Sequence, residues 1–157
     1  MSVLFSKTCE YGLQAMLYLA ARTTNGPILQ REISDELGIP SDFLGKVLQS
    51  LTRCGLVSSQ KGRNGGFRLA KPPEEISPLE IINAIDGPAV LHECVLGFPS
   101  CSDSSPCPVH RQWGGVRLAI TEMLQNQNLQ QLSREIDGGS TGSSLGSPKR
   151  DSSDESG

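Results

Sequence analysis

The chain is 157 residues long, 36% hydrophobic and only 4% aromatic, with a formal net charge of −3. That allows one domain with extensions and a modest core rather than two full domains, and no apolar run approaches the roughly 20 residues that a membrane-crossing helix needs. Residues 1–7 lack the basic-then-apolar layout of a secretory signal, so the expectation is a cytoplasmic protein with no membrane partner, in a compartment where cysteines stay reduced or bind metal.

The charge is unevenly spread. Through Lys71 there are nine Lys and Arg against five Asp and Glu, a net of +4, and from Pro72 onward five against twelve, a net of −7. A basic amino-terminal half on an acidic chain points to a polyanionic partner at one end only.

Over residues 6–21, Cys9, Leu13, Met16, Leu17 and Ala20 recur at helical spacing, with Glu10 and Gln14 a turn apart and off that stripe. Asn25, Gly26 and Pro27 break the chain. A second helix is expected over residues 28–38, with Leu29, Ile33 and Leu37 as its buried face and Gly38 as its left-handed cap. After Ile39 and Pro40, Ser41 reads as the N-cap of a third helix that buries Leu44, Val47, Leu48 and Leu51 and ends near Cys54 and Gly55. Two short helices joined by a tight glycine-containing turn form the helix-turn-helix pattern, whose second helix is free to enter a major groove. Residues 56–60 and 67–70 then read as two strands around Lys61-Gly62-Arg63-Asn64-Gly65-Gly66.

A hairpin directly after a helix-turn-helix is a wing. Its glycines let the backbone approach a partner closely, and Lys61 and Arg63, with Arg68 and Lys71 nearby, can neutralise phosphate. The residues expected to face bases are Ser41, Asp42 and Lys46 at the front of the third helix, with Lys61, Arg63 and Asn64 in or beside a minor groove. A nucleotide-binding phosphate loop is disfavoured, because no G-x-x-x-x-G-K motif leads from a strand into a helix.

Ser77, Pro78 and Glu80 spell a capping box with proline at the first helical position. The helix they start is expected to bury Leu79, Ile82 and Ile85 and to stop at Gly87-Pro88. Pro108 reads as the opening of the longest remaining helix. Along it Val109, Trp113, Val116, Ile120 and Met123 are spaced four, three, four and three, a heptad seam. On a domain already amphipathic, such a seam with a Trp reads as a homodimer contact. Gly114 and Gly115 weaken that helix by about 1 kcal/mol each, which fits the close approach of a partner. Asn128 caps a short last helix over residues 129–136, and the Gly- and Ser-rich residues 137–157 are read as a disordered tail.

Between the fourth and fifth helices lies a loop with three of the five cysteines and both histidines. Cys94, Cys101 and Cys107 are separated by six and five residues, and His110 follows after two more. Gly97, Pro99, Pro106 and Pro108 rule out regular structure, so the loop takes its order from something other than backbone ladders. Thiolate is the ligand that zinc and iron–sulfur clusters share. An odd trio does not pair off as disulfides, and no short zinc knuckle is present; the longer gaps suit a looser wrap around a larger inorganic unit, but spacing does not choose between the two. A thiol enzyme using Cys107 and His110 is disfavoured, because no oxyanion-hole or substrate motif accompanies them. His92 reads as lining the loop, and Cys9 and Cys54 as core residues.

The fold expected is mainly α with a small β-hairpin wing. It comprises a winged helix-turn-helix over residues 1–90, a cysteine loop over 91–110, and a dimerisation helix with a short C-terminal helix over 108–136. The order of motifs, a winged helix, then Lys61-Gly62-Arg63-Asn64-Gly65-Gly66-Phe67, then C-x₆-C-x₅-C-x₂-H ahead of a long helix, resembles the Rrf-two (Rrf2) family of bacterial transcription regulators over roughly residues 2–136. That resemblance implies no enzyme but a homodimer presenting two winged helices to palindromic double-stranded promoter DNA. It also implies an iron–sulfur cluster on Cys94, Cys101 and Cys107, with 2Fe–2S favoured over 4Fe–4S. For the fourth ligand it offers two residues: His110, as in the regulator of iron–sulfur biogenesis, and Glu10 from the partner subunit, as in the nitric-oxide sensor. The implied function is promoter binding controlled by a cluster that senses redox, nitric oxide or iron–sulfur status. A winged-helix regulator with structural zinc or no metal is the alternative.

Overall fold

A computed structural model describes residues 4–22 and 26–138. Among them the elements run α1 (Lys7–Ala20), α2 (Gln30–Leu37), α3 (Ser41–Arg53), β1 (Val57–Gln60), β2 (Gly66–Leu69), α4 (Pro78–Ile85), α5 (His110–Gln125) and α6 (Leu129–Gly138), with short 3₁₀ turns at Pro73–Glu75 and Pro88–Leu91. The class is the expected one, helices with a single antiparallel hairpin. No helix among the described residues is long and apolar enough to cross a membrane. Part of the chain break expected at residues 25–27, and the tail beyond residue 138, lie outside the described residues.

The core gathers one face from most of these elements. Met16 of α1, Ile33 of α2, Leu44, Leu48 and Leu51 of α3, Ile81 and Ile82 of α4 and Leu129 of α6 are all fully buried. Each such side chain contributes about 1.5–3 kcal/mol relative to an exposed one. Side-chain caps set where several helices begin. Ser6 accepts the Cys9 N–H at 3.0 Å to start α1, and its own N–H donates to Asp86 Oδ2 at 2.9 Å, while its hydroxyl donates to the other carboxylate oxygen. Asp86 is the C-cap of α4, so the start of α1 is tied to the end of α4. Along their contact Gly12 leaves room for Ile85, since a Cβ there would lie 2.2 Å from Ile85 Cδ1.

The α4 capping box forms as read: Glu80 N–H donates to Ser77 Oγ at 3.3 Å and Ser77 N–H to Glu80 Oε2 at 3.1 Å. Asn128 and Gln131 repeat the device at α6, with 2.9 Å from Gln131 N to Asn128 Oδ1. Gly38 takes the expected left-handed conformation, φ 65°, and the Val57↔Leu69 to Gln60↔Gly66 register makes the wing.

Several local expectations are corrected. Leu29 is 54% exposed rather than core. Ile28 is extended and exchanges two 2.8 Å bonds with Phe67; its side chain goes inward, so the next one turns out. Ser41 is the first residue of α3 rather than its cap, and the preceding Pro40 carbonyl accepts the first helical N–H, from Leu44, at 2.9 Å. Cys54 is exposed, because the helix ends at Arg53 and residue 54 leaves the apolar face. The helix expected from Pro108 starts at His110, since Cys107 O accepts the His110 N–H in a separate turn first. Leu13, Leu17, Leu79 and Ile85 are half-buried, with Ala15, Leu19 and Ile81 taking the deeper positions. The last helix runs to Gly138, two residues past the expected end.

Candidate functional site

The wing and α3 frame the first candidate surface. Ser41, Asp42 and Lys46 lie along the front of α3, and all three are exposed. Gln30 Nε2 donates to Ser41 O at 2.7 Å and Ser41 Oγ at 3.2 Å, so this end of α3 is held by α2. Gly45 makes that possible, since a Cβ there would sit 2.9 Å from Gln30 Nε2. Lys61, Arg63 and Asn64 are exposed at the hairpin tip. Among the described residues, Lys46, Lys61 and Arg63 make no ion pair, so their charge is free for a polyanion. A cleft of about 580 Å³ separates α3 from the wing, with Gln49 and Arg53 on one wall and Gln60 and Lys61 on the other. Two glycines shape the wing: Gly62 at φ 103° and Gly66 at φ 144°, conformations that residues with a Cβ rarely adopt. At Gly66 a Cβ would also strike Ile28 O at 2.3 Å.

The cysteine loop is the second. Cys94, Cys101 and Cys107 bring their sulfurs within 4.8 Å of one another, the one His, Cys, Asp or Glu group of three or more that converges this way among the described residues. Cys94 Sγ lies 3.6 Å from Cys107 Sγ, and Cys101 Sγ lies 3.1 Å from His110 Nδ1. All three cysteines are half-buried. Desolvation acts to raise the Cys94 thiol, but the N–H groups of Phe98 and Leu96 and the neighbouring thiols outweigh it and bring it down to about 7. Desolvation and the other two sulfurs push Cys107 up. Three soft donors with an imidazole nitrogen beside them fit either an iron–sulfur cluster or a zinc ion.

Other predicted site residues fall elsewhere. Glu10 lies on α1, 3.2 Å from Lys7 Nζ, and within one chain it is not part of the sulfur group. His92 is exposed; its carbonyl accepts from Arg117 Nη1 at 2.8 Å. Trp113 Nε1 donates to Glu93 O at 2.9 Å, so two α5 side chains hold the start of the loop. Cys9 is sealed in the core, where burial and then the Asp86 charge push its thiol up to about 12. A contact absent from the sequence reading is His110 Nε2 to Asp103 Oδ1 at 2.9 Å. The only signal for it was an acid between two of the cysteines.

On α5, Val116, Leu118 and Met123 are 48–60% exposed, and no residue of that helix is buried. Among the described residues its principal helix partner is α4.

The sequence profile described as "Rrf2: Iron-dependent Transcriptional regulator" matches residues 5–135. The chain is 33% identical over 123 residues to the HTH-type transcriptional regulator IscR of Pectobacterium atrosepticum, covering 78% of this chain and 74% of that one. Its structure is similar to that of CymR, the global cysteine regulator of B. subtilis, with a TM-score of 0.71 and 26% identity over 84% of this chain and 97% of the other. IscR of T. potens gives a TM-score of 0.66 at 28% identity, over 88% and 91% of the two chains.

Proposed function

The chain belongs to the Rrf2 family of transcriptional regulators, and from that premise we propose that it binds promoter DNA as a homodimer under the control of an iron–sulfur cluster. It is a regulator and not an enzyme, as its relatives are regulators. The observation that carries the cluster reading is the convergence of three sulfurs on a loop with no ladder of its own. Cys94, Cys101 and Cys107 would hold the cluster, with His110 or the partner's Glu10 as the fourth ligand. His110 Nδ1 beside Cys101 Sγ favours the histidine-ligated 2Fe–2S form. When bound, such a cluster supplies one-electron chemistry and a target for oxygen or nitric oxide.

The chain's own residues supply the coupling. Trp113 and Arg117 tie the loop entrance to α5, α5 packs on α4, and Asp86 at the end of α4 holds the Ser6 cap of α1. A change in loop order would therefore shift α5 against the winged helix, with α4 as the element it presses on. This acts as a switch only if the two loop states differ in DNA affinity. In contact with DNA, Ser41, Asp42 and Lys46 would face bases in the major groove, and Lys61, Arg63 and Asn64 would lie along the minor groove and its phosphates.

The test is an anaerobic preparation of the native protein. Colour, iron and acid-labile sulfide are expected, with a spectrum that changes on exposure to oxygen or nitric oxide and a promoter affinity that changes with it. Three thiols and an imidazole are also a structural zinc set; a colourless protein with stoichiometric zinc rejects the cluster in favour of that reading.

A further inference from the structure

We propose that Asp103 is a positioning residue for His110: it fixes the imidazole so that Nδ1, and not Nε2, is the nitrogen offered to the metal centre. The inference rests on the metal-centre reading above and adds a residue to it. Asp103 Oδ1 lies 2.9 Å from His110 Nε2, and an ionised carboxylate only accepts hydrogen bonds. Nε2 therefore carries the proton and donates it. In the neutral ring this leaves the lone pair on Nδ1, and Nδ1 points at Cys101 Sγ from 3.1 Å. Without metal, Nδ1 accepts from the Cys101 thiol. With Cys101 deprotonated and bound, the same lone pair is free to bind beside it.

The local chain is built to hold Asp103 there. Ser102 and Ser105 exchange backbone hydrogen bonds at 3.2 and 3.1 Å, and Ser105 N–H also donates to Ser102 Oγ at 3.2 Å. Asp103 and Ser104 thus form the tip of a closed four-residue turn. The Asp103 side chain is otherwise fully exposed, while the His110 side chain is 17% exposed. The carboxylate has no other partner among the described residues, so its role toward His110 is orientation rather than stability. Metal-ligating histidines commonly use their second nitrogen in this way, and losing the partner weakens metal binding by about 10–100-fold. An exposed carboxylate belongs at the lower end of that range.

The experiment compares the full chain as wild type, Asp103→Ala and Asp103→Asn. In the anaerobic, metal-free protein, ¹⁵N spectra of the His110 ring are expected to show one tautomer, protonated at Nε2, in wild type and in Asp103→Asn, whose amide oxygen still accepts. In Asp103→Ala they are expected to move to a tautomer mixture. In the iron-loaded protein, ¹⁵N hyperfine coupling from histidine labelled at Nδ1 is expected, and loss of iron to a chelator about tenfold faster in Asp103→Ala than in Asp103→Asn. Ring shifts and iron loss unchanged in Asp103→Ala, or coupling from Nε2 instead, would overturn the assignment. A wild type that takes up no iron sinks the cluster reading separately, and the ring spectra of the metal-free protein still decide the role of Asp103.

Discussion

Cys9 and Cys94 carry the same thiol in opposite surroundings. Burial and the charge of Asp86 hold the Cys9 proton on, up to about 12, whereas N–H donors draw Cys94 down to about 7. A thiol ligand must shed its proton, so these surroundings set Cys94 apart from Cys9 before any metal arrives. Serine at Cys94, Cys101 or Cys107 is expected to abolish iron and sulfide uptake, measured by metal analysis, while Cys9→Ser and Cys54→Ser keep it. Glu80 makes a second single-residue case. Burial works against its carboxylate, but the Lys71 ammonium at 2.9 Å and the Ser77 N–H outweigh it and hold the group below its ordinary range. A group depressed in the folded state gives stability that is complete above its unfolded pKa and lost as pH falls through the folded one. The stability gap between wild type and Glu80→Gln is therefore expected to close on acidification, a modest effect because the side chain is 42% exposed; denaturant titrations across the acidic range measure it. At this scale the sulfur trio was legible from spacing, since a loop unable to form ladders had little other use for three cysteines. Asp103 was not, because its contact depends on a serine turn that spacing does not encode.

For the wing, two kinds of substitution separate shape from charge. Gly66→Ala puts a Cβ at φ 144° and against Ile28 O, which is expected to cost more than about 1 kcal/mol and to lower Tm without touching any basic side chain. Lys61→Ala and Arg63→Ala leave the fold intact and are each expected to lower the salt slope of promoter binding by about 1; unchanged slopes would remove the wing from the DNA surface. The fourth helix offers a control that touches none of the proposed DNA-facing residues, where Ser77→Ala is expected to cost about 1 kcal/mol through the capping box alone. Signals of this kind, a cap, a left-handed glycine at residue 38, a basic glycine-rich hairpin, are local chemistry and could be read directly. Leu29 and Cys54 were misread because what places them is not local: one answers to a bridge formed with Phe67 across the chain, the other to the point where α3 stops.

At the scale of the whole molecule, α5 carries Val116, Leu118 and Met123 half-exposed, with α4 its principal helix partner among the described residues. The heptad spacing gives the expectation of a second copy there, but spacing does not show that Trp113 is claimed by its own loop. A double substitution, Val116→Glu with Met123→Glu, is expected to give a monomer in sedimentation with unchanged helicity and greatly weakened binding to a two-half-site operator. If that variant stays dimeric, the seam is elsewhere. A last consequence comes from Cys54. With Cys9 sealed, and the other three sulfurs taken up by metal if the proposed cluster is bound, it is the single thiol left open to a reagent, at the rear end of α3. In the proposed dimer a nitroxide attached there would report, without any engineered cysteine, how far apart the two third helices stand, and so whether loading the loop opens or closes the grip.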